Sequence, residues 1–199
     1  MARSVGHLSA ARGALEQALA DWAATHVTTP WGMVQMDRAA FGDLHPDQRL
    51  RLLRAALRWI GRAEHSPRGD DQLRFGEALL SGKEATLHGV RARVTARHLR
   101  LFREVRAVAG PIDAADGALW DGRWQLHGPA RQGEVIRALG PDGLAQRPGW
   151  RDLGIPRDAA LVSPSVWEGA RLIAAPVLDP QGPWRAETAG CLALFILSH

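Results

Sequence analysis

The sequence predicts an α+β fold: a helical domain over residues 1–109 closed by a β-hairpin, a linker at 110–117, and a smaller β-rich domain over 118–199. Three observations carry this. Up to about residue 80 the apolar residues recur at three- and four-residue spacings, the repeat that places side chains on one helical face. Near residue 90 the repeat changes to strict alternation, the strand period. Beyond Gly117 the apolar tracts are short and broken by Gly, Pro and Asp, as in a sheet with tight turns.

The first helix is expected over Ser4–Val27. Leu8, Leu15, Leu19, Trp22 and His26 share its apolar face, and Pro30 ends it. It starts almost at Met1, which suits a helix that continues from a preceding domain. After short apolar pieces (WGMVQM), Pro46 and Asp47 mark a second helix start, with proline at a first helical position and an acid in the first turn. Over Pro46–Arg62 this helix carries Leu50, Leu53, Leu57 and Ile60 on one face. A loop at 66–69 leads to a third helix over Asp70–Leu80 that carries Leu73, Leu79 and Leu80, with Asp70–Asp71 as N-terminal charge and Gly82 as a stop.

Val90, Ala92 and Val94 then alternate with Arg91 and Arg93, and Leu99 and Leu101 alternate with Arg100 and Phe102. Two such tracts around a turn at 95–98 make a hairpin. A lone hairpin is marginal in water, so its apolar face must pack on the helices before it. Later tracts ALWDGRWQL, GEVIRAL, ARLIAAPVL and AGCLALFIL read as strands, with Asp121–Gly122 as a hairpin turn. Between the second and third of these, GWRDLGIPRDAALVSPSVWEG reads as a short helix, a Pro-led turn and a loop.

The chain has 199 residues, net charge +4, 46% hydrophobic content and one cysteine. These values suit a packed globular protein and exclude a disulfide framework or a cysteine zinc cluster. Cys191, inside an apolar run, is expected to be buried and inert. No apolar run is long enough to span a bilayer, and a cytoplasmic protein with no membrane partner is expected. There is no G-x-S-x-G, H-E-x-x-H or Walker A pattern. The histidines lack ligand spacing; His88 and His98 read as a solvated pair that could face each other across the hairpin. No catalytic residue and no metal site is expected in this chain.

Positive charge is almost wholly arginine, 24 Arg against a single lysine, Lys83. From Thr86 to Arg106 six arginines face one acid, Glu104. Arg51, Arg54 and Arg58 share one face of the second helix. These two clusters are the candidate nucleic-acid contacts: Arg51, Arg54 and Arg58 on the helix, and Arg91, Arg93, Arg100, Arg103 and Arg106 in and beyond the hairpin. Guanidinium groups on a rigid element release counterions when they meet a phosphate backbone. A solvated face, or a strand edge guarded against pairing, explains the same residues.

The order of elements, with DQRLRLLRAALRWIG, PRGDDQLRFGEALLSGKEATLHGVRARVTARHLRLFRE and VIRALGPDGL…GWRDLGIPRDAALVSPSVWEGARLIAAP, resembles the region that follows the catalytic domain in tRNA(Ile)-lysidine synthetases. In that family a pyrophosphatase-type domain adenylates the wobble cytidine of an isoleucine tRNA, and lysine displaces AMP to give lysidine. The family's Ser-Gly-Gly-x-Asp-Ser loop, which binds ATP phosphates, does not occur here. The resemblance therefore implies a tRNA-recognising C-terminal portion, with ATP and magnesium used by a domain outside this sequence and no cofactor within it. It implies tRNA(Ile) and the protein's own catalytic domain as partners, and adds Arg137, Arg147 and Arg151 as candidate tRNA contacts. Where the family often has lysines before its I-P turn, this sequence has Arg147 and Arg151. The alternative reading is a docking or homodimerisation module, in which the first helix and the tryptophan-rich domain meet a protein and the arginines are incidental.

Overall fold

The computed structural model describes residues 2–62 and 67–197, with side chains from Arg12 onward. Part of the loop expected at 66–69 lies outside the described residues. Helix α1 (Ala2–His26) runs into a two-residue strand β1 (Val27–Thr28), then β2 (Val34–Asp37) and a short helix α2 (Arg38–Asp43). Helices α3 (Pro46–Gly61) and α4 (Gly69–Leu80) follow, then strands β3 (Ala85–Leu87), β4 (Val90–Val94) and β5 (His98–Arg103).

The start of α3 is built as its sequence indicates. Pro46 takes the first turn, the His45 ring accepts from Asp47 N–H, and Gln48 reaches back to His45 N–H at 3.2 Å. These contacts satisfy N–H groups that lack helical partners. The helix ends at Arg62, which adopts a left-handed conformation (φ 52°).

Strands β1–β5 form one antiparallel sheet in the order β1-β2-β5-β4-β3. The alternation resolves as expected on the helix side: Val90, Ala92, Leu99 and Leu101 are fully buried, with Val34 and Met36 of β2 beside them. Across β4 and β5, Arg93 opposes Arg100 and Arg91 opposes Phe102. The arginine face of the sheet therefore carries like charges in register, which needs counter-charge or a polar acceptor nearby.

Helix α3 is buried more widely than one stripe. Leu52, Leu53, Ala55, Ala56, Leu57, Trp59 and Ile60 are all enclosed, while Leu50 is only half-buried. The additional cover is the last element, helix α7 (Leu192–Leu197), which packs on both α1 and α3. The expected strand at AGCLALFIL is thus a helix. Periodicity cannot separate helix from strand in so short an apolar run; here Leu192 and Ile196, four apart, face the core and Leu194 between them faces solvent. Cys191, just before it, is exposed rather than buried.

The inward face of α1 also differs from expectation. Leu19 is buried and Trp22 packs against the core, but Leu15 is 47% exposed. On α4 the buried residues are Gln72, Phe75, Gly76 and Leu79, whereas Leu73 and Leu80 face outward. His88 lies in the β3–β4 turn with φ 49°, and His98 begins β5 opposite Asp37. Since Val94 pairs with Leu99 and Val90 with Arg103, the two histidines are at opposite ends of the hairpin.

The second half comprises β6 (Ile112–Asp113), β7 (Ala118–Trp120), β8 (Trp124–His127), β9 (Glu134–Ala138), α5 (Gly140–Ala145), a 3-10 stretch at Pro148–Leu153, α6 (Arg157–Leu161), β10 (Pro164–Glu168), β11 (Arg171–Ala174) and β12 (Arg185–Thr188). It folds as a four-stranded sheet β11-β10-β9-β6 and a three-stranded sheet β12-β8-β7. The tract PSVWE, expected as loop, is the strand β10, held between β9 and β11. Buried on both faces, it has no polar alternation to announce it, and Pro164 stands at its first position, where a missing donor costs least. Asp121 and Gly122 make the predicted hairpin turn with φ 50° and 63°, and Arg123 N–H bonds Trp120 C=O at 3.1 Å.

Candidate nucleic-acid interface

The arginines fall into three environments. On α3, Arg51 is one-third exposed and binds Asp47 at 2.6 Å, with Glu16 of α1 at 3.9 Å. Arg54 is exposed and reaches Gln72 Oε1 at 3.4 Å, and Arg58 is half-buried. Exposed pairs of this kind contribute only about 0–1 kcal/mol, so a phosphate can displace the partner at small cost.

On the hairpin, the arginine face meets the second half of the chain. Asp158 of α6 accepts from Arg93 Nη2 at 3.3 Å, pairs ionically with its Nε and lies 3.9 Å from Arg91; Glu84 holds Arg91 at 3.1 Å and Arg93 at 3.4 Å. Arg100 donates to Gln35 Oε1 at 2.7 Å. The register of β4 and β5 is thus answered by carboxylates at Arg91 and Arg93 and by a neutral amide oxygen at Arg100. Arg106 is exposed in the 3-10 turn after β5. At the hairpin tip Arg97 and Lys83 are exposed, and Arg38 donates to Thr95 C=O at 3.4 Å. This third basic locus is dispersed in sequence and forms only when α2 packs beside the turn.

The remaining arginines are interior. Arg103 is 12% exposed and makes a fork to Asp121, at 3.1 Å from Nε and 3.0 Å from Nη2, while also donating to the carbonyls of Gly61 and Ala107. Asp121, 2% exposed at its side chain, also accepts from Ala109 N–H at 3.0 Å. Beside it Arg123 is 2% exposed, lies between the rings of Trp59 and Trp124, and donates to the carbonyls of Ile60 and Gly32. Burial pushes the Arg123 guanidinium down to about 9, opposed by the Asp121 charge, so it stays a cation at neutral pH. Burial also lowers Arg62, again opposed by Asp121, and Arg62 donates to Ala189 C=O. One carboxylate thus faces three guanidiniums where the two halves of the chain join.

In the second half, Arg137 stacks on Trp167 at 3.7 Å and Arg151 lies over Trp150 at 5.0 Å. Arg147 is half-buried at the head of the 3-10 stretch. The structure therefore places Arg51, Arg54, Arg58, Arg91, Arg93, Arg100, Arg106, Arg137, Arg147 and Arg151 at or near the surface, on separate patches, and Arg103 inside. Sequence reasoning missed Arg62, Arg123, Asp121, Glu84 and Asp158. The tryptophans flanking Asp121-Gly122-Arg123 were the one available signal that this turn is enclosed.

Between β3, β4, the turn after β5 and α6 lies a cleft of about 450 Å³ lined by Glu84, Thr86, Arg91, Glu104, Val105, Arg106 and Asp158, with Phe102 at its floor. Among the described residues no helix is long and apolar enough to cross a membrane.

No family model matches the chain, and no solved structure matches it. The chain is 38% identical over 156 residues, 78% of its length, to the tRNA(Ile)-lysidine synthase of Ruegeria pomeroyi (strain ATCC 700808 / DSM 15171 / DSS-3). That aligned stretch spans 37% of the relative's own length. A likeness of this extent bears out the resemblance to tRNA(Ile)-lysidine synthetases that the order of elements and the quoted tracts carry.

Proposed function

We propose that this chain is the tRNA-recognising portion of a tRNA(Ile)-lysidine synthetase that acts in the cytoplasm. The adenylation and lysine transfer, with their ATP and magnesium, belong to a catalytic domain outside this sequence. The observation that carries the reading is the 38% identity over 156 residues to a tRNA(Ile)-lysidine synthase. The arginines support it: α3, the hairpin tip and the turn after β5 present guanidiniums that are exposed or held only by weak surface pairs.

Fluorescence anisotropy with isoleucine tRNA at two salt concentrations tests the proposal. Binding should fall by ~0.7–0.9 log units per log unit of salt for each phosphate neutralised. Absence of binding at low salt refutes it for this chain. Arg54→Glu, on an exposed side chain, should weaken binding several-fold and reduce the salt slope by about 1 while leaving circular dichroism unchanged. Unchanged affinity returns Arg54 to a solvated role.

A docking module is the second reading, favoured by the exposure of Leu15 on α1 and of Leu194 and Leu197 on α7, which packs against α1. Against it, Leu19 and much of Trp22 are spent on the chain's own core.

A further inference from the structure

We infer that the cleft between β3, β4, the 3-10 turn after β5 and α6 is a binding site for one unpaired RNA nucleotide whose base carries an amino-bearing edge, guanine above all. This rests on the reading of the chain as a tRNA-binding unit, and assigns that binding a specific pocket. The cleft is made by both halves of the chain: residues between 84 and 106 supply most of its lining and Asp158 of α6 the rest. Its volume of about 450 Å³ is in the range of small-ligand pockets, roughly 300–1,000 Å³.

The charge arrangement selects the ligand class. Glu84 and Asp158 are already engaged by Arg91 and Arg93. Glu104 and Arg106 have side chains that meet no partner among the described residues, and both line the cleft. One open anion and one open cation therefore face the same space. Three carboxylates and three guanidiniums line the cleft, so a bare phosphate meets no excess of positive charge there and leaves the Glu104 carboxylate unanswered. A nucleotide presents a phosphate and a base edge at opposite ends of a flat body. Arg106 suits the phosphate through fork-like bonds. Glu104 suits a base edge rich in N–H donors, best met by the adjacent ring and amino N–H groups of guanine; uracil offers carbonyl acceptors that a carboxylate opposes. Val105, 56% exposed at the rim, supplies an apolar wall, and the guanidinium planes offer stacking surfaces. Only an unpaired nucleotide can enter, since pairing would hide the base edge.

The test uses the whole chain, with 5′-GMP, 5′-UMP, inorganic phosphate and glycine titrated against amide NMR spectra. GMP should shift the amides of Arg91, Glu104 and Arg106 and bind at least fivefold more tightly than UMP, phosphate or glycine. Arg106→Ala should weaken GMP about tenfold. Glu104→Gln should remove the preference for GMP over UMP without weakening UMP. Equal binding of GMP and UMP, equal binding of phosphate or glycine, or no shift in these amides overturns the inference. Isoleucine tRNA binding by the unmodified chain is measured in parallel: if it persists while GMP leaves the cleft amides unmoved, the pocket assignment falls and the tRNA reading stands. If GMP binds as described while the tRNA does not, the reading of the whole chain falls instead.

Discussion

Asp121→Asn isolates the charge at the join between the two halves. Asparagine keeps the shape and tolerates the left-handed backbone that Asp121 adopts at φ 50°, so the change is electrostatic. The carboxylate is 2% exposed, accepts two bonds from Arg103 and one from Ala109, and is the counter-charge felt by Arg123 and Arg62. Removing one partner of a buried ion pair costs about 3–5 kcal/mol, because the other charge stays buried without compensation. With three guanidiniums dependent on it, the upper part of that range applies. For a domain of this size about 1 kcal/mol moves the midpoint by ~2–4 °C, so Asp121→Asn should lower Tm by roughly 10 °C or more. Thermal melts followed by circular dichroism and tryptophan fluorescence read this directly. Asp116→Asn, at a carboxylate 73% exposed, is the control and should change little. Arg103→Met combined with Asp121→Asn should cost less than the two single changes added together, since they act in one network. A Tm for Asp121→Asn within about 2 °C of the parent refutes the account of Asp121 as the anion that joins the halves.

Gly32 has φ +71°, and a Cβ there would lie 2.2 Å from the Trp124 ring; Gly32→Ala should cost about 2–5 kcal/mol from backbone strain and overpacking, seen as a lowered urea midpoint. Leu19→Ala should destabilise by about 3–5 kcal/mol and Leu15→Ala by less than ~0.5 kcal/mol, which equilibrium unfolding separates. The Asp37 carboxyl caps α2 by accepting from Ala40 N–H at 2.8 Å, and that bond holds it below its ordinary 3.8. A depressed acid contributes its stability above the unfolded value and loses it as pH falls through the folded one. The gap in urea midpoint between the parent and Asp37→Asn should therefore be constant above about pH 5 and shrink below pH 3.8; a gap independent of pH contradicts this role.

Elements fixed by neighbouring residues form as those residues indicate. The α3 start at His45–Gln48, the alternation in β4 and β5, and the Asp121–Gly122 turn are each set by residues within one or two turns of chain, and each forms as the sequence indicates. The misread tracts are those whose burial or brevity removes the pattern. PSVWE is enclosed on both faces, and LALFIL is too short for its period to show, so neither carries a signal that distinguishes strand from helix or loop.

The candidate site divides in the same way. Composition and helical spacing were enough to mark the sequence as arginine-rich with two clusters, and the order of tracts was enough to mark its resemblance. Whether a given arginine faces solvent depends on what folds over it. Arg103 and Arg123 read in sequence like their neighbours, yet Asp121, Gly61, Ile60 and Gly32 enclose them from as far as 91 residues away. Arg91 and Arg93 meet Asp158 only because α6 returns across the hairpin. Local spacing determined the elements and the excess of positive charge. Only the tertiary structure decided which charges are neutralised, since a buried charge takes its partner from wherever the chain brings a carboxylate or carbonyl within about 3 Å.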